Sequence, residues 1–341
     1  MYLVFTASKD TYITNKIVTS TSRATDANLG GASTVDIFKL YDENTISGES
    51  KPNELSRGLI KFNLQDVSAS LKDKVDFSHS SFKAVLKMHD VQGNQVAPAN
   101  FNLALFPLSK SFDEGKGKDV ASLGYLDRAN WITASYTTDN IVWNSAGAFA
   151  SGGLNASNID LIESGSIGGS ITYFVKSQQF TIGNEDLFMD VTNIVSASMV
   201  GILPNHGFLI CYSGSEELDT RSRFVKRFSS RHTRNPYIRP KLIIQYDDYI
   251  TDDNGQFEFN VTGSLFLKSL SRGISTNILS GSGNTEISGH NCVLVKLHTG
   301  SYAQYFTGSQ YTDAGIFKTG VYSASLAIDR FSNSTILVQQ H

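Results

Sequence analysis

The sequence predicts an all-β protein whose antiparallel sheets pack as sandwiches, and three observations lead there. Ser and Thr together outnumber the charged residues, which make up only 18% of the chain. Solvation by hydroxyls suits β surfaces and turns, because exposed helix faces favour Glu, Lys and Ala. Short runs alternate apolar and polar residues with period two, and clusters of Gly, Asn, Asp and Ser separate them, the pattern of strands half-buried against a core. At 40% hydrophobic and 11% aromatic, the 341-residue chain can fill a sizeable core and is too apolar to be disordered.

The clearest alternating runs are 34–40, 57–62, 82–88 and 241–246. Between 144 and 170 the chain turns to Gly, Ser, Ala and Asn, which predicts a loop or insertion with little to bury. The stretch 190–200 reads differently. Asp190 and Thr192 can serve as N-caps and Ile194, Val195 and Met199 fall at helical spacing, so one short helix is expected to close an end of the sandwich. The apolar strand ending at Tyr246 runs into an acidic turn over 247–253, and alternation restarts at Phe257. A second domain is placed at 249–341, a length typical of an immunoglobulin-like sandwich.

Charge and composition exclude several classes. With 29 Lys+Arg against 32 Asp+Glu, the net charge of -3 lacks the basic field that nucleic-acid binding needs to displace counterions from phosphate. The longest apolar runs, such as 2–5 and 207–211, fall far below the ~20 residues that span a bilayer. The opening residues Met1 to Phe5 carry no basic flank and meet polar Thr6 and Ser8 at once, so no secretory signal is expected. Cys211 and Cys292 stand far apart in dissimilar contexts and read as two buried apolar thiols rather than a disulfide or metal framework.

A series of motifs runs through residues 1–248. It begins with Ala7-Ser8-Lys9-Asp10-Thr11-Tyr12-Ile13, Asn28-Leu29-Gly30-Gly31 and Ser56-Arg57-Gly58-Leu59-Ile60-Lys61-Phe62-Asn63-Leu64. It continues with Ile141-Val142-Trp143-Asn144, Phe188-Met189-Asp190-Val191-Thr192, Phe228-Ser229-Ser230-Arg231-His232 and Pro240-Lys241-Leu242-Ile243-Ile244-Gln245-Tyr246. In this order the motifs resemble the DNRLRE domain, a jelly-roll-like sandwich similar to carbohydrate-binding modules. The resemblance implies a scaffold more than a function. The residues suit such roles: Asp10 bonding local backbone, Asn28 and Gly30 supplying a tight turn, Arg57 pairing with a carboxylate across sheets, Trp143 plugging the core. The sequence departs from the family at 184–188, where an aromatic-rich, Trp-bearing stretch is usual. A Ser/Thr/Gly-rich sandwich chain with a smaller tail domain is also similar to structural proteins of tailed bacteriophages, and 313–326 resembles the closing strands of such modules. That likeness implies a virion component of the tail, neck or baseplate region, with copies of itself and other virion proteins as partners. The alternative it leaves open is a module that attaches to surface glycan.

No Gly-x-Ser-x-Gly elbow, Walker A loop or His-Glu-x-x-His occurs, so no enzyme, cofactor or metal is expected. His290, Cys292 and His298 are metal-ligating types, but a plain strand between them would put Cys292 and His298 ~20 Å apart. The acidic turn at 247–253 offers oxygen ligands without the EF-hand order. Acid pairs such as Glu216-Glu217 and Asp113-Glu114 would point to opposite faces of a strand, whereas acid–base work needs two carboxylates facing one cleft. The aromatics Tyr302, Tyr305, Phe306, Tyr311, Phe317 and Tyr322 either fill the core of the second sandwich or stack on sugar rings.

The sharpest anomaly is electrostatic. Arg221, Arg223, Lys226, Arg227, Arg231, Arg234, Arg239 and Lys241 follow one another with no acid between them. Two readings fit this run. It forms a docking surface for an acidic partner, or its charges pair with the excess carboxylates elsewhere in the chain.

Overall fold

A computed structural model describes residues 2–65, 67, 81–91, 98–121, 128–136, 141–246, 252–281, 284–299, 302–313 and 315–328. The protein is nearly all β, as its alternating runs predict. It divides into two compact units, the first ending at Tyr246. Among the described residues no helix is long and apolar enough to cross a membrane.

The first unit is built on strands β1 (Tyr2–Thr6), β2 (Lys9–Thr14), β3 (Thr34–Tyr41), β4 (Asn53–Lys61), β5 (Lys83–Met88) and β6 (Phe101–Pro107). After them come β7 (Lys176–Phe180), β8 (Leu187–Asp190), helix α1 (Thr192–Met199), β9 (Phe208–Tyr212), helix α2 (Gly214–Leu218), β10 (Arg223–Ser229) and β11 (Lys241–Gln245). One sheet has the order β1-β11-β5-β8, and the other has β7-β6-β9-β4-β3-β10 with β2 paired along β4. All of these pairings are antiparallel.

The two sheets bury their strands differently. In β5 alternate residues Ala84, Leu86 and Met88 are buried while Lys83 is exposed, the signature of a sheet with one wet face. All five residues of β9 are buried, so both of its faces are covered. Leu209 and Cys211 share a cluster with Ile13, Leu55, Leu59, Trp131, Trp143, Ala148 and Leu161. On the opposite face Tyr212 meets the edge of Phe101, which stacks on Phe180 at 4.9 Å.

The covering layer corrects the expectation for 144–170. The segment supplies short strands Ser151–Gly153, Leu161–Ile167 and Ser170–Tyr173, and it buries Ala148, Ile159, Leu161 and Ile162. Small residues serve here because the layer lies flat on the sheet beneath it. A Cβ on Gly147 would come within 2.4 Å of the Trp131 ring. Trp143 is the core plug its motif suggests, and its indole N–H donates to Asn130 O at 2.9 Å.

Two local readings change. Helix α1 forms where expected and buries Ile194, Val195 and Ala197, but Val191 is its N-cap and no side chain caps it. Asp190 Oδ1 instead accepts the N–H of Thr192, and Thr192 Oγ1 accepts the N–H of Ala84. Gly30 lies outside the left-handed region. It is required by close approach, since a Cβ there would sit 1.7 Å from the carbonyl oxygen of Glu114.

Among the described residues the second unit shows a four-stranded antiparallel sheet, ordered β12 (Thr262–Lys268), β15 (Ile316–Ala327), β14 (Tyr302–Asp313) and β13 (Val293–Thr299), and a two-stranded one that pairs Leu270–Ser271 with Ile274–Ser275. The buried face of the four-stranded sheet carries Tyr322, Ala324 and Leu326. Tyr322 Oη donates to Ile287 O and accepts the N–H of Ile278, while Gln310 bonds Asn277 and Gly289.

Trp143→Ala is expected to lower the unfolding free energy by about 3–5 kcal/mol, whereas Ile171→Ala, at a position 73% exposed, stays within about 0.5 kcal/mol. Urea unfolding followed by fluorescence and circular dichroism measures both.

Candidate functional site

The basic run 221–241 falls just before β10, on β10, on the turn after it and at the start of β11, and only Arg223 and Lys226 of its eight cations are buried. The Arg223 guanidinium forks onto Asp219 at 2.7 and 2.9 Å. Lys226 is fully buried, 2.6 Å from Asp90. Arg227 sits opposite Asp36 in the β3–β10 register and pairs with it bidentately at 2.6 and 2.8 Å. Arg231 grips Glu114 at 2.6 and 3.1 Å. Arg239 donates to Thr233 O and Lys241 to Tyr237 O. Arg221 and Arg234 are exposed. Three of the cations thus bind carboxylates from distant segments, and Arg223 binds Asp219 just before the run.

A second set of buried charges has no run to advertise it. Arg57, in the middle of β4, donates to both carboxylate oxygens of Glu217 on α2, and both side chains are buried. Its other N–H groups reach the carbonyls of Gly147 and Ala148, and its plane lies 3.4 Å from the centroid of Phe149. The carboxylate partner that the motif suggests for Arg57 is thus present, on a helix beside the sheet. Lys39 is fully buried and donates to both the carbonyl and the carboxylate of Asp219. The Arg223 fork, helped by Lys39, holds the Asp219 carboxyl well below the usual carboxylate range.

The carboxylate pairs separate into scaffold roles as well. Glu216 caps the N–H of Asn102 with both oxygens, and Asp113 accepts from Ser135 and from the N–H of Tyr136. Among the described residues one cluster has metal-ligating types together: Asp10, Glu114 and His232, with ligand atoms within 4.8 Å of one another. Its chemistry is that of a lock. Glu114 accepts from the Asp10 N–H at 2.9 Å as well as from Arg231, and His232 Nε2 lies 3.3 Å away. A guanidinium already fills the place a cation would take.

Asp10 does not bond local backbone, as its motif suggests. Its Oδ2 accepts the N–H of Arg231, more than 200 residues away, and its buried Oδ1 has no partner. Burial pushes the Asp10 carboxyl up to about 7, the Arg231 N–H opposes this, and the Glu114 charge adds to it.

The remaining candidates are dispersed. His298 lies on β13, and His290 packs against Phe317 at 5.1 Å. Cys211 is buried with its thiol pushed up to about 12 by desolvation, while Cys292 is only partly buried. Residues 247–251 of the acidic turn lie outside the described residues. Asp253 in its last part accepts the N–H of Ser264. Of the C-terminal aromatics Tyr322 is buried and Tyr305 is exposed.

The first unit also carries an open groove of about 250 Å³ lined by Tyr12, Phe38, Phe224, Lys16, Asp36 and Arg227, among others. Phe224 is 50% exposed there. Its signal in the sequence is faint, because the lining comes from four separated segments.

Two outcomes follow from these contacts. Glu217→Ala is expected to cost about 3–5 kcal/mol because it strands a buried guanidinium, whereas the double variant Arg57→Met/Glu217→Leu costs clearly less; denaturant unfolding compares them. The native state keeps a proton on Asp10 that the unfolded chain releases near its ordinary value of 3.8. Its stabilising contribution is complete below about pH 4 and is lost as pH rises to about 7. Wild-type stability measured against Asp10→Asn should therefore fall across that window by up to about 1.4 kcal/mol per pH unit. The chain matches no protein-family model, and no curated protein is significantly similar to it.

Proposed function

We propose that this protein is a non-enzymatic structural component of a phage virion, in the tail, neck or baseplate region, which works by docking against copies of itself and other virion proteins. The observation that carries this reading is the open sheet of the second unit. Strand β13 pairs on one side only among the described residues and exposes Leu294. A free edge offers backbone donors and acceptors for strand addition by a neighbouring subunit, and symmetry multiplies such modest contacts. The inward pairing of the basic run supports the same reading, since it makes the first unit a stiff platform rather than a charged recognition surface.

The groove beside Phe224 favours a second reading, attachment to surface glycan. Aromatic faces suit the C–H patches of a sugar ring, and Lys16, Asp36 and Arg227 supply polar groups to orient hydroxyls.

Mass spectrometry of purified particles is expected to detect the chain in stoichiometric amount, and its absence from them would refute the virion reading. Saturable binding on a glycan array that Phe224→Ala abolishes would establish the second reading in its place.

A further inference from the structure

Lys226 and Asp90 occupy neighbouring strands at the edge where β10 meets the chain following β5. Asp90 and Phe228 form a β-bridge, flanked by hydrogen bonds from Val91 N–H to Arg227 O and from Ser229 N–H to His89 O, each 3.0 Å. Lys226 lies two residues before Phe228 and so shares its face, diagonally across from Asp90. Its side chain is 0% exposed and that of Asp90 only 11%, with Nζ 2.6 Å from Oδ1. The carbonyls of Gly183 and Glu185 accept from Nζ at 2.9 and 2.7 Å and fix its position. The rings of Phe180 and Phe228 lie 5.0 and 4.9 Å away.

We propose that this site is a modification site, at which Lys226 and Asp90 condense into an intramolecular amide that staples β10 to the chain after β5. Exclusion of water disfavours the separated charges of an ammonium and a carboxylate, and this burial lowers the pKa of Lys226 against the opposing pull of Asp90. Passing one proton from Nζ to the Asp90 carboxyl leaves a neutral amine and a neutral acid. The amine lone pair then attacks Cγ, the new C–N bond forms, and the C–OH bond breaks. The hydroxyl departs as water with a second proton from nitrogen, and one N–H stays on the amide. Nothing is oxidised or reduced. Fixed neighbours in contact react as if at very high concentration, which supplies the drive that free amines and acids lack in water.

Asp186 is a positioning residue that holds the backbone of Asp90. Its Oδ1 accepts the Asp90 backbone N–H at 2.9 Å, and its side chain, 38% exposed, also meets His89 Nδ1 at 3.0 Å. The other fully buried lysine, Lys39, lacks this setting. Its partner Asp219 is partly exposed and kept ionised by the Arg223 fork, so Lys39 serves as an internal control.

Intact-mass measurement on the purified full chain tests the proposal. The wild-type chain is expected to be lighter than its sequence mass by one water. Tryptic digestion should give a branched peptide joining the segments that carry Asp90 and Lys226, with no cleavage after Lys226. Lys226→Arg keeps a buried cation and should show its full sequence mass, Lys39→Arg should keep the deficit, and Asp186→Ala, which removes the acceptor of the Asp90 N–H, should slow its appearance while Asp186→Asn restores it. A wild-type chain at full sequence mass, cleaved normally after Lys226, overturns the amide whether or not the variants fold. A deficit that maps to other residues overturns it equally.

Discussion

Arg57 stands at the centre of β4, among residues buried on both faces of the strand, and its charge dictates much of what surrounds it. A guanidinium in that position is tolerable only if its donors and its charge are both answered on the spot. Glu217 answers the charge, the carbonyls of Gly147 and Ala148 take the remaining donors, and the ring of Phe149 covers the plane. One side chain thereby fixes three things at once: the seat of helix α2, the path of the covering layer, and the closure of the cluster that holds Trp131 and Trp143.

The same requirement recurs around the unit. Lys39 and Arg223 converge on Asp219, Arg227 meets Asp36, and Arg231 meets Glu114. Lys39–Asp219 and Arg231–Glu114 tie separate segments together, while Arg227–Asp36 reinforces the β3–β10 ladder. Lys226 and Asp90 stand apart from this set, because both side chains are closed off from water and two backbone carbonyls fix the amine.

Much of the architecture was legible from residue order. Alternation located β3, β4, β5 and β11, and the helical spacing of Ile194, Val195 and Met199 located α1. The 144–170 segment misled because Gly, Ser and Ala are the usual residues of loops, and here their small size allows close packing on a sheet. Gly30 misled in a related way. A turn and a close approach both demand glycine, and only the position of the Glu114 backbone separates them.

By itself the sequence determined the β class, the strand positions and the existence of an unusual basic run, because periodicity and composition are local properties of the chain. Only the tertiary structure decided where those charges point. Arg231 and Glu114, or Lys226 and Asp90, are more than a hundred residues apart in sequence, and no local pattern records which carboxylate a cation will find. That choice is made by strand register and by the cost of leaving a buried charge unanswered.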